Sequence, residues 1–188
     1  MSNHLMIDIE TLGICATSVV LSVGVVVFDD EYNIIDKKMY VLDKREQLEK
    51  GRTYNKDTIE FWNNQPAEAK KQFHTDHLYS IEEFKNDFNK FVRSYDIDLV
   101  WSTAPNLDIA CIQTLLELDK NGDSVIPWKF NKIRDIRTVR DYLKQYPKRE
   151  GVYHDAIDDC LYQIECLKLS IRDMFIYGYH QINKQLKD

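Results

Sequence analysis

Residues 5–13, LMIDIETLG, set two acidic residues into a short apolar segment that is predicted to be a β-strand. Successive side chains of a strand point to opposite faces, so Asp8 and Glu10 share one face while Ile7 and Ile9 share the other. Like charges at neighbouring positions on one face repel each other, and near a core they also lose hydration. A divalent cation would relieve both effects, whereas an edge strand with a solvated face is the alternative. The pair alone does not decide between them.

Two further groups of acids stand where helices are predicted to begin. Asp108 falls in the first turn of a predicted helix, where an acid complements the helix dipole but could equally point into a pocket. In residues 151–163, GVYHDAIDDCLYQ, Asp155 is predicted to cap the last helix, with Asp158 and Asp159 in its first turn. Helix capping therefore explains these acids without any function.

His154 immediately precedes this last helix and is not explained by capping. Histidine side chains change protonation near neutral pH, so an imidazole beside acidic groups is suited to accept a proton from water. A single histidine is more often structural. Its position is informative only in combination with the acids.

The order of the predicted elements indicates an α/β fold. Three strands are followed by helices that alternate with two more strands, and Ser80 with Glu83 forms a capping box at the start of one helix. This order predicts a central mixed five-stranded sheet flanked by helices, in a single domain over residues 1–188. The predicted strands are residues 5–10, 19–29, 36–42, 98–101 and 130–136. The predicted helices lie within residues 56–72, from Ser80 through Val92, over 107–119, from the end of the last strand through Leu143, and from 156 to about 175.

Together these residues resemble the DEDDh exonucleases, whose motifs are Asp-x-Glu, a mid-chain Asp and His-x-x-x-x-Asp. The five residues that match those motifs are Asp8, Glu10, Asp108, His154 and Asp159. A narrower resemblance is to bacteriophage exonuclease A-type enzymes and the short bacterial exoribonucleases related to them, and it runs from residue 5 to about 165. It rests on MIDIETLG, LSVGVVVFD, TIEFWNNQ, the tryptophan of VWSTAPNLD, IRDIRT and HDAIDDCLYQ.

The second motif departs from that subgroup. Ser102, Ala104 and Leu107 stand where it usually has glycines and an aromatic ring, which can narrow the pocket or change base contacts. A nucleic-acid-binding module with weakened catalysis is therefore an alternative to an active enzyme.

The resemblance implies a ribonuclease H-like fold and a metal-dependent 3′–5′ exonuclease that hydrolyses single-stranded nucleic acid. It implies two divalent cations, Mg²⁺ or Mn²⁺, held by the four matching acids, with His154 as the general base. We expect DNA to be slightly favoured over RNA as the substrate, and an exoribonuclease that trims RNA 3′ ends is the alternative. A homodimer is compatible with the sequence.

A basic segment, residues 129–149, carries eight basic and two acidic residues, although the 188-residue chain has a net charge of -6. From charge alone, a solvated helix face is the simpler interpretation. The resemblance leads us to expect phosphate contacts from Lys132, Arg134, Arg137 and Arg140. Phe61 or Trp62 is expected to stack on a terminal base, with core packing as the alternative for Trp62.

The remaining composition indicates the compartment. No apolar run reaches the roughly 20 residues of a membrane helix, and no signal sequence is recognised, so we expect no membrane association. The four cysteines form no CxxC pair and are expected to be reduced. We expect the cytoplasm of a bacterium or of a phage-infected host cell.

Overall fold

The structure is a computed structural model that describes residues 2–116 and 125–185, with the side chains of the last helix described as far as residue 179. Its strands are β1 (Asn3–Thr11), β2 (Val20–Asp29), β3 (Ile34–Val41), β4 (Ile97–Ser102) and β5 (Ile133–Asp135). They form one sheet in the order β3-β2-β1-β4-β5. The first three strands pair antiparallel, and β4 and β5 continue the sheet in parallel with β1. The predicted mixed five-stranded sheet is confirmed.

Helices lie on both faces of this sheet. In the described ranges they are α1 (Lys44–Glu49), α2 (Lys56–Asn64), α3 (Ala67–Lys71), α4 (Ile81–Arg93), α5 (Asp108–Leu116), α6 (Arg137–Arg140) and α7 (Ala156–Gln185), with a 3₁₀ turn over Phe130–Lys132. The predicted capping box is present, because the Ser80 hydroxyl accepts from the Glu83 N–H and the Glu83 carboxylate accepts from the Ser80 N–H.

The alternation along β1 decides which residues face which helices. Leu5, Ile7 and Ile9 join the core cluster that packs against α4 and α5. Met6 belongs to the opposite cluster, which contains residues of α7. Because side chains alternate, Asp8 and Glu10 lie on the Met6 face, under α7. The sheet therefore turns its first acidic pair towards the helix that carries the last one.

Gly24 allows α7 to begin against the sheet. It pairs with Asp8 across β1 and β2. A Cβ atom at this position would lie 2.4 Å from the carbonyl oxygen of Ala156, the first residue of α7. Since real side chains do not approach a backbone so closely, only glycine lets the start of α7 reach this part of the sheet.

Several predicted boundaries change. The last strand is shorter than predicted, because its first residues form the 3₁₀ turn, and the helix after it ends at Arg140 rather than Leu143. Helix α5 is described to Leu116, so the predicted continuation to residue 119 lies outside the described residues. Helix α1 was not predicted. Over the part of the chain that is described, no helix combines the length and the apolar character needed to span a membrane.

Candidate active site

Asp8 and Glu10 approach the carboxyl end of β1, on the face covered by α7. Asp8 accepts a hydrogen bond of 2.6 Å from the side-chain amide of Gln163. Gln163 lies one helical turn after Asp159, so both side chains are on the same side of α7. Burial raises the pKa of Asp8 well above its ordinary value, and the nearby carboxylates of Asp108 and Asp159 raise it further. The pKa of Glu10 is raised in the same way, first by burial and then by Asp8.

Asp108 joins the site from the start of α5, next to the end of β4. Its carboxylate is buried and accepts hydrogen bonds from the Ser102 hydroxyl and from the Ala104 N–H, the second at 3.3 Å. Burial raises its pKa to about 6, although the bond from Ser102 acts in the opposite direction. Two of the residues that depart from the subgroup's motif thus support the carboxylate, and the third, Leu107, packs against the core.

His154 and Asp159 lie on either side of the start of α7. His154 has a left-handed backbone conformation, with φ of 63°. Gln72 fastens this bend to the sheet, because its amide nitrogen donates to the His154 carbonyl and its oxygen accepts from the Ser22 hydroxyl at 2.9 Å. The predicted cap is also present, since the Asp155 carboxylate accepts from the N–H groups of α7's first turn.

Three of the predicted residues lie close enough to share a metal ion. One ligand atom from each of Glu10, His154 and Asp159 lies within 4.8 Å of the others. Asp8 and Asp108 are not part of this close group, but they are near enough to perturb its ionisation. Burial raises the pKa of Asp159, while Arg149 and His154 oppose that rise. The structure therefore brings all five predicted residues to one region, with mutually repelling acids that a divalent cation would stabilise.

Arg149 was not predicted as a site residue, yet it contacts the acidic cluster directly. Its guanidinium forms an ion pair with Asp159 and donates to the Val152 carbonyl at 3.1 Å. The same group lies over two tyrosine rings, 4.1 Å from the centre of Tyr153 and 4.8 Å from that of Tyr162. Sequence reasoning counted Arg149 only as one charge of the basic segment, because its contact with Asp159 depends on how the loop before α7 folds.

An apolar cavity of about 720 Å³ is lined by Leu12, Tyr54 and Trp62, among others, and none of the five predicted site residues is in its lining. Its link to the site is Trp62, whose ring centre lies 6.2 Å from that of His154. Trp62 is only 6% exposed, and its indole N–H donates to the Thr11 carbonyl at 2.9 Å. The expectation that Trp62 stacks on a base is therefore corrected in favour of core packing, since almost none of its ring surface is accessible. Phe61 is 40% exposed, and its ring packs edge-on against His154 with 5.0 Å between centres.

The four basic residues predicted to contact phosphate differ in their surroundings. Lys132 forms an ion pair with Asp98, and Arg137 forms one with Asp135 at 2.6 Å. Arg134 donates to two backbone carbonyls of its own segment at 2.8 Å. Arg140 hydrogen-bonds through its backbone, to the Ile136 carbonyl at 2.9 Å, and its side chain has no hydrogen bond or ion pair among the described residues. Of these four, Arg137 is near enough to Asp108 to lower the pKa of that carboxyl.

Comparison with known proteins decides the family. A model of the 3′–5′ exoribonuclease Rv2179c-like domain matches residues 3–171. The chain belongs to this family. It is accordingly a 3′–5′ exonuclease, a hydrolase of phosphodiester bonds, and the resemblance to the DEDDh exonucleases is confirmed.

Individual relatives support the same assignment. The chain is 27% identical to the exodeoxyribonuclease of Enterobacteria phage T4, over 89% of this chain and 88% of that protein. Its fold is similar to that of E. coli exonuclease I. The TM-score is 0.69, with 14% identity, for the zinc-bound complex with single-stranded DNA. It is 0.66, with 13% identity, for the complex with a dT13 oligonucleotide. Both alignments cover 95% of this chain but only 42% and 44% of exonuclease I. The predicted ribonuclease H-like fold is confirmed.

Proposed function

We propose that this exonuclease removes nucleotides from the 3′ end of single-stranded DNA, with two divalent cations, Mg²⁺ or Mn²⁺, and with His154 as the general base. The observation that carries the proposal is the close group of Glu10, His154 and Asp159, with Asp8 and Asp108 beside it. A catalytic base and carboxylate ligands are thereby available at one point.

The residues present fit divalent cations. Carboxylate oxygens are the ligands that Mg²⁺ and Mn²⁺ prefer. Burial and mutual repulsion raise the pKa values of Asp8 and Glu10, which means that their ionised forms are destabilised. A bound cation would stabilise these ionised forms. Asp8, Glu10 and Asp159 would hold one cation, and Asp8 with Asp108 the second. When bound, the cations supply Lewis acidity, which makes water a better nucleophile and offsets the negative charge of the phosphate.

The protein's own residues supply the proton transfer. A separation of up to 4.8 Å between the His154 ring and the carboxylates leaves room for one hydrogen-bonded water. His154 takes a proton from this water as its oxygen bonds to phosphorus. The bond from phosphorus to the 3′ oxygen of the preceding nucleotide then breaks, and this oxygen takes a proton from solvent water to become the new 3′-hydroxyl. A nucleoside 5′-monophosphate leaves, and His154 returns its proton to solvent. Phe61, edge-on to His154, limits the directions that the ring can take.

The cavity beside the site suits the terminal nucleobase. Its lining is mainly apolar, and Leu12 follows Glu10 by only two residues. Trp62, which lines the cavity, has its ring centre 6.2 Å from that of His154, and this contact supports a position for the base next to the proposed general base. Stacking and apolar contacts accept any base, which is consistent with digestion that does not depend on sequence. The basic residues after β4 would contact phosphates further along the strand.

Two polymers, DNA and RNA, are candidates for the substrate. The exodeoxyribonuclease of phage T4, which aligns along most of both chains, favours DNA. The description of the matching family as exoribonucleases favours RNA as the second candidate. We propose DNA as the preferred polymer, because the individual relative is matched over 88% of its length.

Digestion of matched single strands tests this proposal. DNA and RNA oligonucleotides of one sequence, each labelled at the 5′ end, are incubated with the protein in Mg²⁺, in Mn²⁺ and in EDTA. We expect a ladder of labelled products that shortens from the 3′ end with either metal, faster for DNA, and no products in EDTA. Immediate release of a labelled mononucleotide would show attack from the 5′ end and contradict the proposal. Faster digestion of RNA would transfer it to the second candidate.

Three further expectations complete the proposed function. The whole chain acts as one domain, in the cytoplasm of a bacterium or of a phage-infected cell. A homodimer is supported by large exposed rings on α7, Phe175 at 70% and Tyr177 at 52% exposure. Sedimentation of the purified protein tests the dimer, since a single species at 22.3 kDa would contradict it.

A further inference from the structure

The ion pair between Arg149 and Asp159 lies inside the candidate metal site. The two side chains are only 12% and 16% exposed, so water screens their attraction weakly. Asp159 is also one of the three residues whose ligand atoms lie within 4.8 Å of one another. The carboxylate that a cation would use is therefore already bound to a cation of the protein itself.

The surroundings of Arg149 allow it to leave this carboxylate. Its Nε atom is buried and has no hydrogen-bond partner in the described part of the chain, so its binding to the loop is incomplete. The Tyr153 ring, on which the guanidinium lies, is 64% exposed. The guanidinium could move outwards along this ring and keep its cation–π contact while it gains contact with water.

We propose that Arg149 is a tethered counter-cation that occupies Asp159 until a divalent metal displaces it. A guanidinium and a divalent cation that share one carboxylate repel each other, so each weakens the binding of the other. Arg149 thus stabilises the metal-free acidic cluster and lowers the affinity of the site for metal. This inference rests on the proposed function, because it concerns the metals that the proposed hydrolysis uses.

The loop that carries Arg149 also carries His154. Gly151 lies between them with φ of 79°, and a side chain there would collide with Asp158. The Asp158 carboxylate in turn accepts from the Val152 N–H at 2.8 Å. The middle of the loop is thus fixed to α7, so the Arg149 side chain can leave Asp159 without displacing His154. Arg149 is therefore a positioning residue that controls access of the metal.

Metal binding to the full chain tests the inference directly. The variants are Arg149→Gln, which removes the charge, and Arg149→Lys, which keeps it. Arg172→Gln is the matched control, because Arg172 pairs with Asp173 on α7 at 2.9 Å. Titration calorimetry with Mn²⁺ should show about tenfold tighter binding for Arg149→Gln, as expected for removal of one nearby positive charge. Arg149→Lys should bind Mn²⁺ less tightly than Arg149→Gln, and the control should match the wild type.

The melting temperature separates this role from a merely structural one. Arg149→Gln should melt below the wild type in EDTA, and the difference should shrink in saturating Mn²⁺, since the metal then replaces the lost charge. Unchanged or weaker Mn²⁺ binding by Arg149→Gln, or an equal loss of melting temperature in both conditions, would overturn the inference and leave the proposed function intact. A wild type that binds Mn²⁺ but leaves single strands uncut would contradict the proposed function alone.

Discussion

Replacement of Asp108 by Asn should stabilise the metal-free protein at pH 8 but not at pH 4. Burial raises the pKa of Asp108 to about 6 from an ordinary value of 3.8. Because one pKa unit corresponds to about 1.4 kcal/mol, ionisation of this carboxyl destabilises the folded state by about 3 kcal/mol. Asn keeps an oxygen that accepts from Ser102 and from the Ala104 N–H, so those bonds survive. Loss of the carboxylate at the start of α5 subtracts about 0.3–1 kcal/mol. The net gain is about 2 kcal/mol.

The sign follows from the raised pKa. A group whose pKa is higher in the folded state contributes stability below the unfolded value, near 4, and loses it as the pH rises through the folded value, near 6. Thermal unfolding in EDTA measures the difference. The Asp108→Asn protein should melt about 4–8 °C above the wild type at pH 8, at about 2–4 °C per kcal/mol for a chain of this length. An equal gain at pH 4, or none at pH 8, would refute the assignment of Asp108 to a buried acidic cluster.

Three further predictions concern the metal, the start of α7 and the basic segment. Mg²⁺ should raise the melting temperature of the wild type more at pH 8 than at pH 5, because the raised pKa values of the acidic site residues leave fewer ionised ligands at pH 5. Glu10→Gln should lose most of this rise. An equal rise at both pH values would contradict the prediction. Gly24→Ala should destabilise the protein by about 1–3 kcal/mol and lower activity, because its Cβ would displace Ala156; unchanged unfolding in denaturant would contradict this. Arg137→Ala should raise the KM for single-stranded DNA and reduce its salt dependence by up to about one unit of slope, whereas an unchanged slope would show that Arg137 contacts no phosphate.

The sheet could be predicted because its strands show their burial in the residue pattern. The apolar runs of β1 and β2 are bounded by turn residues, and both strands lie within two residues of their predicted limits. Helix α1 could not be predicted in this way, because its one buried residue is Gln47. The Gln47 amide pairs with both backbone groups of Val20 at 2.8 Å, which hydrophobic periodicity does not report.

The limits near β5 have a similar cause. Phe130 was included in the predicted strand for its apolar side chain, yet it is 87% exposed. Of the helix that follows, Val139 contacts the cluster under α7, whereas Asp141 and Tyr142, directly after its end, are exposed. Apolar character alone therefore predicted the wrong limits here, because it does not show which residues are covered by tertiary contacts.

Some residues of the candidate site could be predicted from the sequence, and others could not. Its five ionisable residues could be predicted, because their spacing matches the motifs of a known family. Gln72, Arg149 and Gln163 could not, because each acts through a partner distant in sequence or through the fold of one loop. An i, i+4 relation to Asp159 on α7 was the one available signal for Gln163.

The rate of a single turnover by the His154→Ala protein tests the central claim most directly. The wild type and the variant are mixed in excess with a 5′-labelled DNA strand, and removal of the first nucleotide is timed after addition of Mg²⁺. Loss of a general base predicts a rate about 10²–10⁴-fold lower, with binding of the strand retained. A variant that removes the first nucleotide as fast as the wild type would contradict the assignment of His154 as the base, and with it the proposed mechanism.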